Sequence, residues 1–263
     1  MLPHVGCLLP TYNRFPKEGH LIEEAIECFL RQTYLGEKIL VIGNDTPGQI
    51  LEFVDEDNQV RVCNFPDRFS KLGNKIQAMI DLFPEVDVWC RWDDDDIHLP
   101  WRISTSLSHL KNKEEWHAEN YWWSHGNSLE VVNGPANTHI MSVWKKDILS
   151  KFPDASYPKR SMDEDQVFNN TIRSDMFDSS QTELDSNEIF YIYRWGVSSK
   201  HLSGFGGTDG DVNYNKVGSA PIEKGVFQLN PHWKENYVKT VQTSSRAVDE
   251  GIELGLHGVP NSE

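Results

Sequence analysis

Four consecutive carboxylates, Asp93-Asp94-Asp95-Asp96, form the most chemically pointed feature of the chain. Acids crowded within a few ångström repel one another, and their pKa values climb unless a cation neutralises them. A divalent ion is the economical neutraliser. Carboxylate oxygens suit Mg²⁺ or Mn²⁺, and an ion that takes only one or two protein carboxylates keeps positions open for phosphate oxygens. Taken by itself the run is equally well a solvated acidic loop. It is not an EF-hand, because the glycine and the distal glutamate are missing at the required offsets. Lys71, Asn74 and Lys75 stand before or at the start of a helical pattern, where backbone N–H groups and the helix dipole favour phosphate oxygens; ordinary solvent-facing lysines are the plain alternative.

The elements that must position these residues alternate in the order of a βαβα wind with a mostly parallel sheet. Val5 to Leu9 is a compact strand ended by Pro10, and Leu21, Ile22, Ala25, Ile26, Phe29 and Leu30 recur at helical spacing. Lys38 to Gly43 is the second strand and Val60 to Asn64 a third, followed by a helical stripe from Leu72 to Phe83. Val86 to Trp92 is a strand running straight into the aspartates, which therefore sit at its carboxyl end. Open α/β sheets bind ligands beyond the carboxyl ends of their strands. Two more polar loops share that rim, Pro10 to Arg14 and Asn44 to Thr46.

Beyond Pro100 the pattern predicts a helix through Ile103, Leu107 and Leu110, strands at Tyr121 to Ser124 and Ser128 to Val132, and a helix beginning near Val143. A polar connection from Ser174 to Asn187, a strand from Ile189 to Tyr193 and a mobile loop from Ser203 to Ser219 follow. The tail from His232 to Leu254 reads as a surface helix. We expect a domain over 1–220, with a nucleotide-binding half at 1–100 and an acceptor-binding half at 101–220, and a helical extension at 221–263.

Composition restricts the function classes. With 38% hydrophobic residues and 9 Trp among 263 residues the chain has a real core to bury. A net charge of -15 disfavours polyanion binding except in a groove of locally opposite sign. No apolar run reaches membrane-span length and the start lacks a secretory pattern, so a cytoplasmic protein without a membrane span is expected. Cys7, Cys28, Cys63 and Cys90 have no CxxC pairing and read as reduced, buried thiols.

Five motifs in order carry a resemblance to the inverting glycosyltransferases of family 2, which have the GT-A fold. Leu9 to Arg14 (LPTYNR) resembles the opening strand and nucleotide loop, and Gly43 to Asp45 (GND) the second-strand aspartate motif. Lys71 to Met79 (KLGNKIQAM) resembles the helix start near the diphosphate, and Trp92 to Ile97 (WDDDDI) the metal-binding DxD element. Met162 to Phe168 (MDEDQVF) is similar to the Glu-Asp motif at the head of a helix. The similarity spans residues 3 to 170.

The resemblance implies that Thr11 and Asp45 contact uracil or another base, with Pro10, Tyr12 and Arg14 nearby and Lys71, Asn74 and Lys75 facing the diphosphate. It places Asp93 near the ribose or sugar, Asp94 beside it, and Mn²⁺ or Mg²⁺ on Asp95, with Asp96 and His201 as further ligands. Asp165 is the implied general base and Glu164 orients the acceptor; helix capping by Asp163 or Asp165 is the plain alternative. Trp122, Trp123, His125 and His139 lie where an acceptor pocket would form, or are simply core. The implied reaction moves a sugar from a UDP-sugar or other nucleotide-sugar donor to a hydroxyl of a glycan, with a hydroxylated nucleobase in DNA as a lesser acceptor. A nucleotidyltransferase on a similar fold and a non-catalytic nucleotide-sugar or glycan binding module are the competing readings. The first wants a glycine- and basic-rich loop after strand one, which PTYNRFPK does not supply.

Overall fold

The computed structural model describes residues 1–125, 128–133, 139–160, 164–197 and 210–249. The apolar run of β1 (Val5–Thr11) is buried on both faces, as the middle of a parallel sheet requires. α1 (Gly19–Leu30) turns Leu21, Ile22, Ala25, Ile26 and Phe29 inward. β2 (Lys38–Asn44) then pairs in parallel with β1, from Val5 opposite Lys38 to Thr11 opposite Asn44. After β3 (Gln49–Glu52), β4 (Val60–Asn64) joins the far side of β2, and α2 (Leu72–Asp81) packs Ile76 and Met79 against the sheet. β5 (Val88–Arg91) pairs with β1 on its other side, Leu8 opposite Arg91. The carboxyl ends of β1, β2 and β5 thus share one rim, as expected.

β6 (Ile97–His98), α3 (Arg102–Leu110), β7 (Glu115–Ala118), β8 (Asn120–His125) and β9 (Ser128–Asn133) follow. Next come β10 (Ser142–Lys145), α4 (Glu164–Ile172), β11 (Ser179–Thr182), β12 (Tyr191–Arg194), α5 (Gly210–Gly218), β13 (Gly225–Gln228) and α6 (Tyr237–Asp249). The main sheet has the order β11-β7-β10-β5-β1-β2-β4 and is parallel except around β10. A second sheet, β6-β12-β8-β9, stands beside the aspartate run, and β13 pairs with β3. This is the mostly parallel, helix-flanked α/β architecture of GT-A type that the sequence implied.

Residue alternation along the central strands builds two cores. Cys7, Leu9, Leu40, Ile42 and Cys90 pack with α1, while Leu8, Val41 and Trp89 pack with Ile76, Trp144 and Phe168. Among the described residues no helix is long and apolar enough to cross a membrane.

The structure corrects several local expectations. Val143 opens no helix; it lies in β10, a short apolar strand between β5 and β7, and a run of that length has no period with which to declare itself. Ser174 to Asn187 holds an edge strand, β11, paired to β7. Within the expected loop at 203–219, residues 210–218 form α5, which buries Tyr214 and Val217 three positions apart; 203–209 lie outside the described residues. The four-residue β3 escaped notice because its pairing partner, β13, is 176 positions downstream. α6 is a docked helix with Tyr237 and Val241 buried.

Candidate active site

The aspartate run leaves the carboxyl end of β5 and turns among four arginines. Arg14, from the loop after β1, holds Asp94 with two bonds, Nε to Oδ2 at 2.9 Å and Nη2 to Oδ1 at 2.5 Å. The same Nη2 donates to Asp95 Oδ2 at 3.0 Å, and Nη1 to Glu18 at 3.1 Å. Asp96 accepts from the Tyr191 hydroxyl at 2.6 Å and from the Arg194 amide at 2.7 Å. Arg194 also donates to the Asp95 carbonyl at 2.7 Å and to the buried Glu24 at 2.7 Å. Arg102 donates to the Arg91 carbonyl at 2.7 Å, closing the strand end from below. Asp93 differs from its neighbours: its side chain is 33% exposed and accepts from Arg91 Nη2 at 3.1 Å.

These environments set the acids apart. Burial pushes the Asp96 carboxyl well above the usual carboxylate range, with Asp95 and Asp93 adding to the rise. Asp93 is also raised, first by burial; Arg91 pulls against that, and Asp95 and Asp94 push with it. Crowded carboxylates at an open rim are what a cation relieves.

The Glu-Asp pair arrives from the other side. Glu164 and Asp165 open α4, and Glu164 is 4% exposed. Arg91 bridges the two acidic groups, with Nη1 donating to Glu164 Oε1 at 3.3 Å and to the Tyr157 hydroxyl at 3.0 Å while Nη2 holds Asp93. Among the described residues Glu164 Oε2 is buried without a hydrogen-bond partner. Burial pushes the Glu164 carboxyl up to about 8, Arg91 opposing and Asp165 adding. Burial likewise lifts Asp165 to about 6, opposed by the Gln166 amide and Arg91 and assisted by Asp93. Both carboxyls are thus held above the ordinary carboxylate range, Glu164 further above it than Asp165.

The loops after β1 and β2 form the third side. Asp45, fully buried, accepts from Lys75 Nζ at 2.7 Å and from the Phe69 amide at 3.0 Å. Lys75 also donates to the Thr11 carbonyl at 3.0 Å, so its ammonium is held beneath the loop. Thr11 Oγ1 is buried without a partner. Above them the Arg68 guanidinium lies 4.3 Å from the Tyr12 ring and 4.0 Å from the Tyr214 ring, and Tyr12 donates to the Gly218 carbonyl at 3.3 Å. α5 thereby sits on the loop that carries Pro10, Thr11 and Tyr12.

The sequence-predicted residues thus gather on one rim, with shifts of role. Arg14, expected near the base, is directed to Asp94 and Asp95. Lys75, expected at the diphosphate, pairs with Asp45. Lys71 caps α2 and Asn74 reaches only Ser70, at 3.3 Å; the first-turn amide of Gly73 donates to the Arg160 carbonyl at 2.8 Å. The α2 terminus consequently braces the segment leading to α4. Trp122 and His139 are core, His139 stacked 4.0 Å from Phe168 with burial holding its pKa well below the ordinary value. Trp123 and His125 are more open. His201 and Asp163 lie outside the described residues.

Arg91, Arg68, Tyr214 and Arg194 were not anticipated. The first had a signal: an arginine inside an otherwise apolar strand, VWCRW, must find acids in the interior. The others meet partners as far as 170 positions away along the chain and left none.

Among the described residues no three His, Cys, Asp or Glu side chains form a metal-binding group. Asp95 and the more open Asp93 nevertheless fit a hard cation whose other ligands are phosphate oxygens and water.

No protein-family model and no curated protein sequence matches this chain. Solved structures do. S. aureus TarS 1-349 superposes with a TM-score of 0.54 at 14% identity, over 73% of this chain and 60% of that one. The same protein in complex with UDP gives 0.54 at 13% identity over 75% and 61%, and in complex with UDP-GlcNAc 0.55 at 12% identity over 81% and 64%. The chain spans less than two thirds of the length of these structures, and the likeness is one of fold.

Proposed function

We propose that this chain is a metal-dependent inverting glycosyltransferase that moves a sugar from a UDP-sugar to an acceptor hydroxyl. The observation that carries the reading is the convergence of the acid pair at the head of α4 on the aspartate turn at the end of β5. A fold shared with a protein solved in complex with UDP and UDP-GlcNAc supports the choice of donor, and fold alone would not name the reaction.

In this mechanism Asp165 removes the proton of the acceptor hydroxyl while that oxygen attacks the anomeric carbon from the face opposite the diphosphate. The bond to the diphosphate breaks as the new glycosidic bond forms, through an oxocarbenium-like transition state. Glu164, whose carboxyl burial pushes well above the ordinary range, orients the acceptor by a hydrogen bond. A divalent cation on Asp95, beside Asp93, would neutralise the departing diphosphate. Thr11 and the Tyr12 loop hold the nucleotide, and Asp45 with Lys75 shapes the floor beneath it.

A thermal-shift series with UDP and UDP-GlcNAc, each with Mn²⁺, Mg²⁺ or EDTA, tests the reading. We expect stabilisation by nucleotide plus metal, of about 2.7 kcal/mol at a hundredfold excess over Kd, and its loss in Asp95→Ala. Stabilisation that is indifferent to metal and to Asp95 would overturn the metal-held donor. UDP-GlcNAc binding with no release of UDP under any acceptor would leave a binding module in its place.

A further inference from the structure

Arg91 is the last residue of β5 and is 5% exposed. Its guanidinium spans three acceptors that come from three separate segments: Asp93 in the aspartate turn, Glu164 on α4 and Tyr157 in the connection before α4. We propose that Arg91 is a positioning residue for the transfer, a buried fork that fixes the acceptor-activating acids in register with the donor-side carboxylate Asp93. The inference rests on the glycosyltransferase reading of the site.

Three observations support it. First, the geometry needs a fork: Nη1 serves Tyr157 and Glu164 while Nη2 points to Asp93, and a lysine ammonium cannot reach acceptors on two sides from one atom. Second, the far anchors are themselves pinned. Tyr157 donates its amide to Gln77 at 2.6 Å and the Arg160 carbonyl takes the Gly73 amide, so the segment before α4 is tied to α2 and any movement of Arg91 is transmitted to α4. Gly73 leaves no slack there, since a Cβ would stand 1.8 Å from the Pro158 carbonyl oxygen. Third, Arg91 is the cation common to Glu164 and Asp165, and it opposes the rise that burial imposes on each. The remaining titratable groups around it are Tyr157, raised by burial, and His139, kept neutral by burial and by Arg91 itself.

A buried arginine that merely compensates two acids would affect folding and leave the kinetics of folded enzyme alone. A positioning residue does more. The test uses release of UDP from UDP-GlcNAc with Mn²⁺, across pH, together with UDP affinity. Arg91→Lys keeps the charge and loses the fork: kcat should fall about 100-fold, the scale of a misplaced reacting group, with Kd for UDP within threefold and the acid limb of the rate profile unmoved. Arg91→Met should lose the same rate and also move the acid limb to higher pH, since it removes a cation that opposes the rise burial imposes on Asp165. Tyr157→Phe, which removes one anchor and no charge, should lower kcat several-fold with UDP affinity intact, and it stands in for Arg91→Met should that variant not fold. If Arg91→Lys and Tyr157→Phe both retain wild-type kcat, or if each weakens UDP in proportion to its loss of rate, the positioning role is wrong while the transferase reading stands. If the wild-type chain neither binds UDP nor releases it from UDP-GlcNAc, the reading of the site fails and the inference with it.

Discussion

The aspartate turn and the acid pair of α4 stand on either side of Arg91, yet the fold compensates them differently. Asp94 has two bonds from Arg14, Asp95 a third, and Asp96 one from Tyr191 and one from the Arg194 amide. Glu164 accepts from Arg91 at 3.3 Å on one oxygen, and among the described residues its other oxygen has no hydrogen-bond partner. Asp94 and Asp96, each accepting two hydrogen bonds, serve as scaffold for the turn. An acid buried with too little compensation stays close to its proton at neutral pH, and that is the state an acid–base group needs. Asp93, a third exposed and paired with Arg91, belongs with neither extreme.

Removing the base tests the sharper side of this contrast. Asp165→Asn keeps the shape and should lower transfer by about 10²- to 10⁴-fold, the range of general base catalysis, while UDP affinity stays within threefold. In the proposed mechanism, activity requires ionised Asp165. With its carboxyl lifted to about 6, the rate should fall about tenfold per unit as pH drops below that value. A decline on the alkaline side near 8 would report loss of the proton shared by the pair, with Glu164 its main holder. A flat profile between pH 5 and 7 would remove Asp165 from the mechanism.

The scaffold side is tested by breaking it. Arg14→Met leaves Asp94 buried without its cation and should cost about 3–5 kcal/mol in urea unfolding, the range for an uncompensated buried charge. Glu164→Gln removes a carboxyl whose pKa folding raises, a group that costs stability at pH 7 because the unfolded chain is ionised there, so the neutral amide should hold or raise stability and lose no more than about 1 kcal/mol. Equal losses from the two variants would erase the distinction between scaffold and poised acid.

How much of this was legible in the sequence follows from distance along the chain. β1, α1, β2, α2 and β5 carry their own periodicity and short connections, so the rim and the aspartates upon it could be read from the residues. The acid pair was found through resemblance of the MDEDQVF motif. Partnerships could not be read: Arg14 with Asp94 spans 80 positions and Arg194 with Glu24 spans 170, and a lone arginine in sequence does not declare which acid it will meet. Lys75 shows the same limit. Its place on α2 was correct, but whether it faced phosphate or Asp45 depended on how α2 turns beneath β1 and β2. α5 was hidden because Gly, Asp and Asn outnumber its buried residues.

Two glycines separate rigid from yielding contacts at the rim. At Gly73 an added methyl meets the Pro158 backbone, which is tied down by the Gly73–Arg160 bond and cannot step aside. Gly73→Ala should therefore cost about 1–3 kcal/mol, the usual range for overpacking, and shift α4 enough to lower kcat. At Gly218 the methyl would stand 1.2 Å from Arg68 Nη1, the end of a long side chain, so the guanidinium would leave its place between Tyr12 and Tyr214 and give up the bond its Nη2 donates to the Tyr214 carbonyl at 2.6 Å. Alanine favours the helix at that position by up to about 1 kcal/mol, the two ring contacts forfeited are worth about 0.5–1 kcal/mol each, and the hydrogen bond about 1 kcal/mol. Gly218→Ala should accordingly destabilise by about 1–2 kcal/mol, and its more telling signature should lie elsewhere. With the guanidinium displaced, the Tyr12 ring loses its cover, and UDP affinity should change while kcat stays within twofold. If UDP affinity is unaltered, the stack of Tyr12, Arg68 and Tyr214 is packing for α5 and has no part in holding the nucleotide.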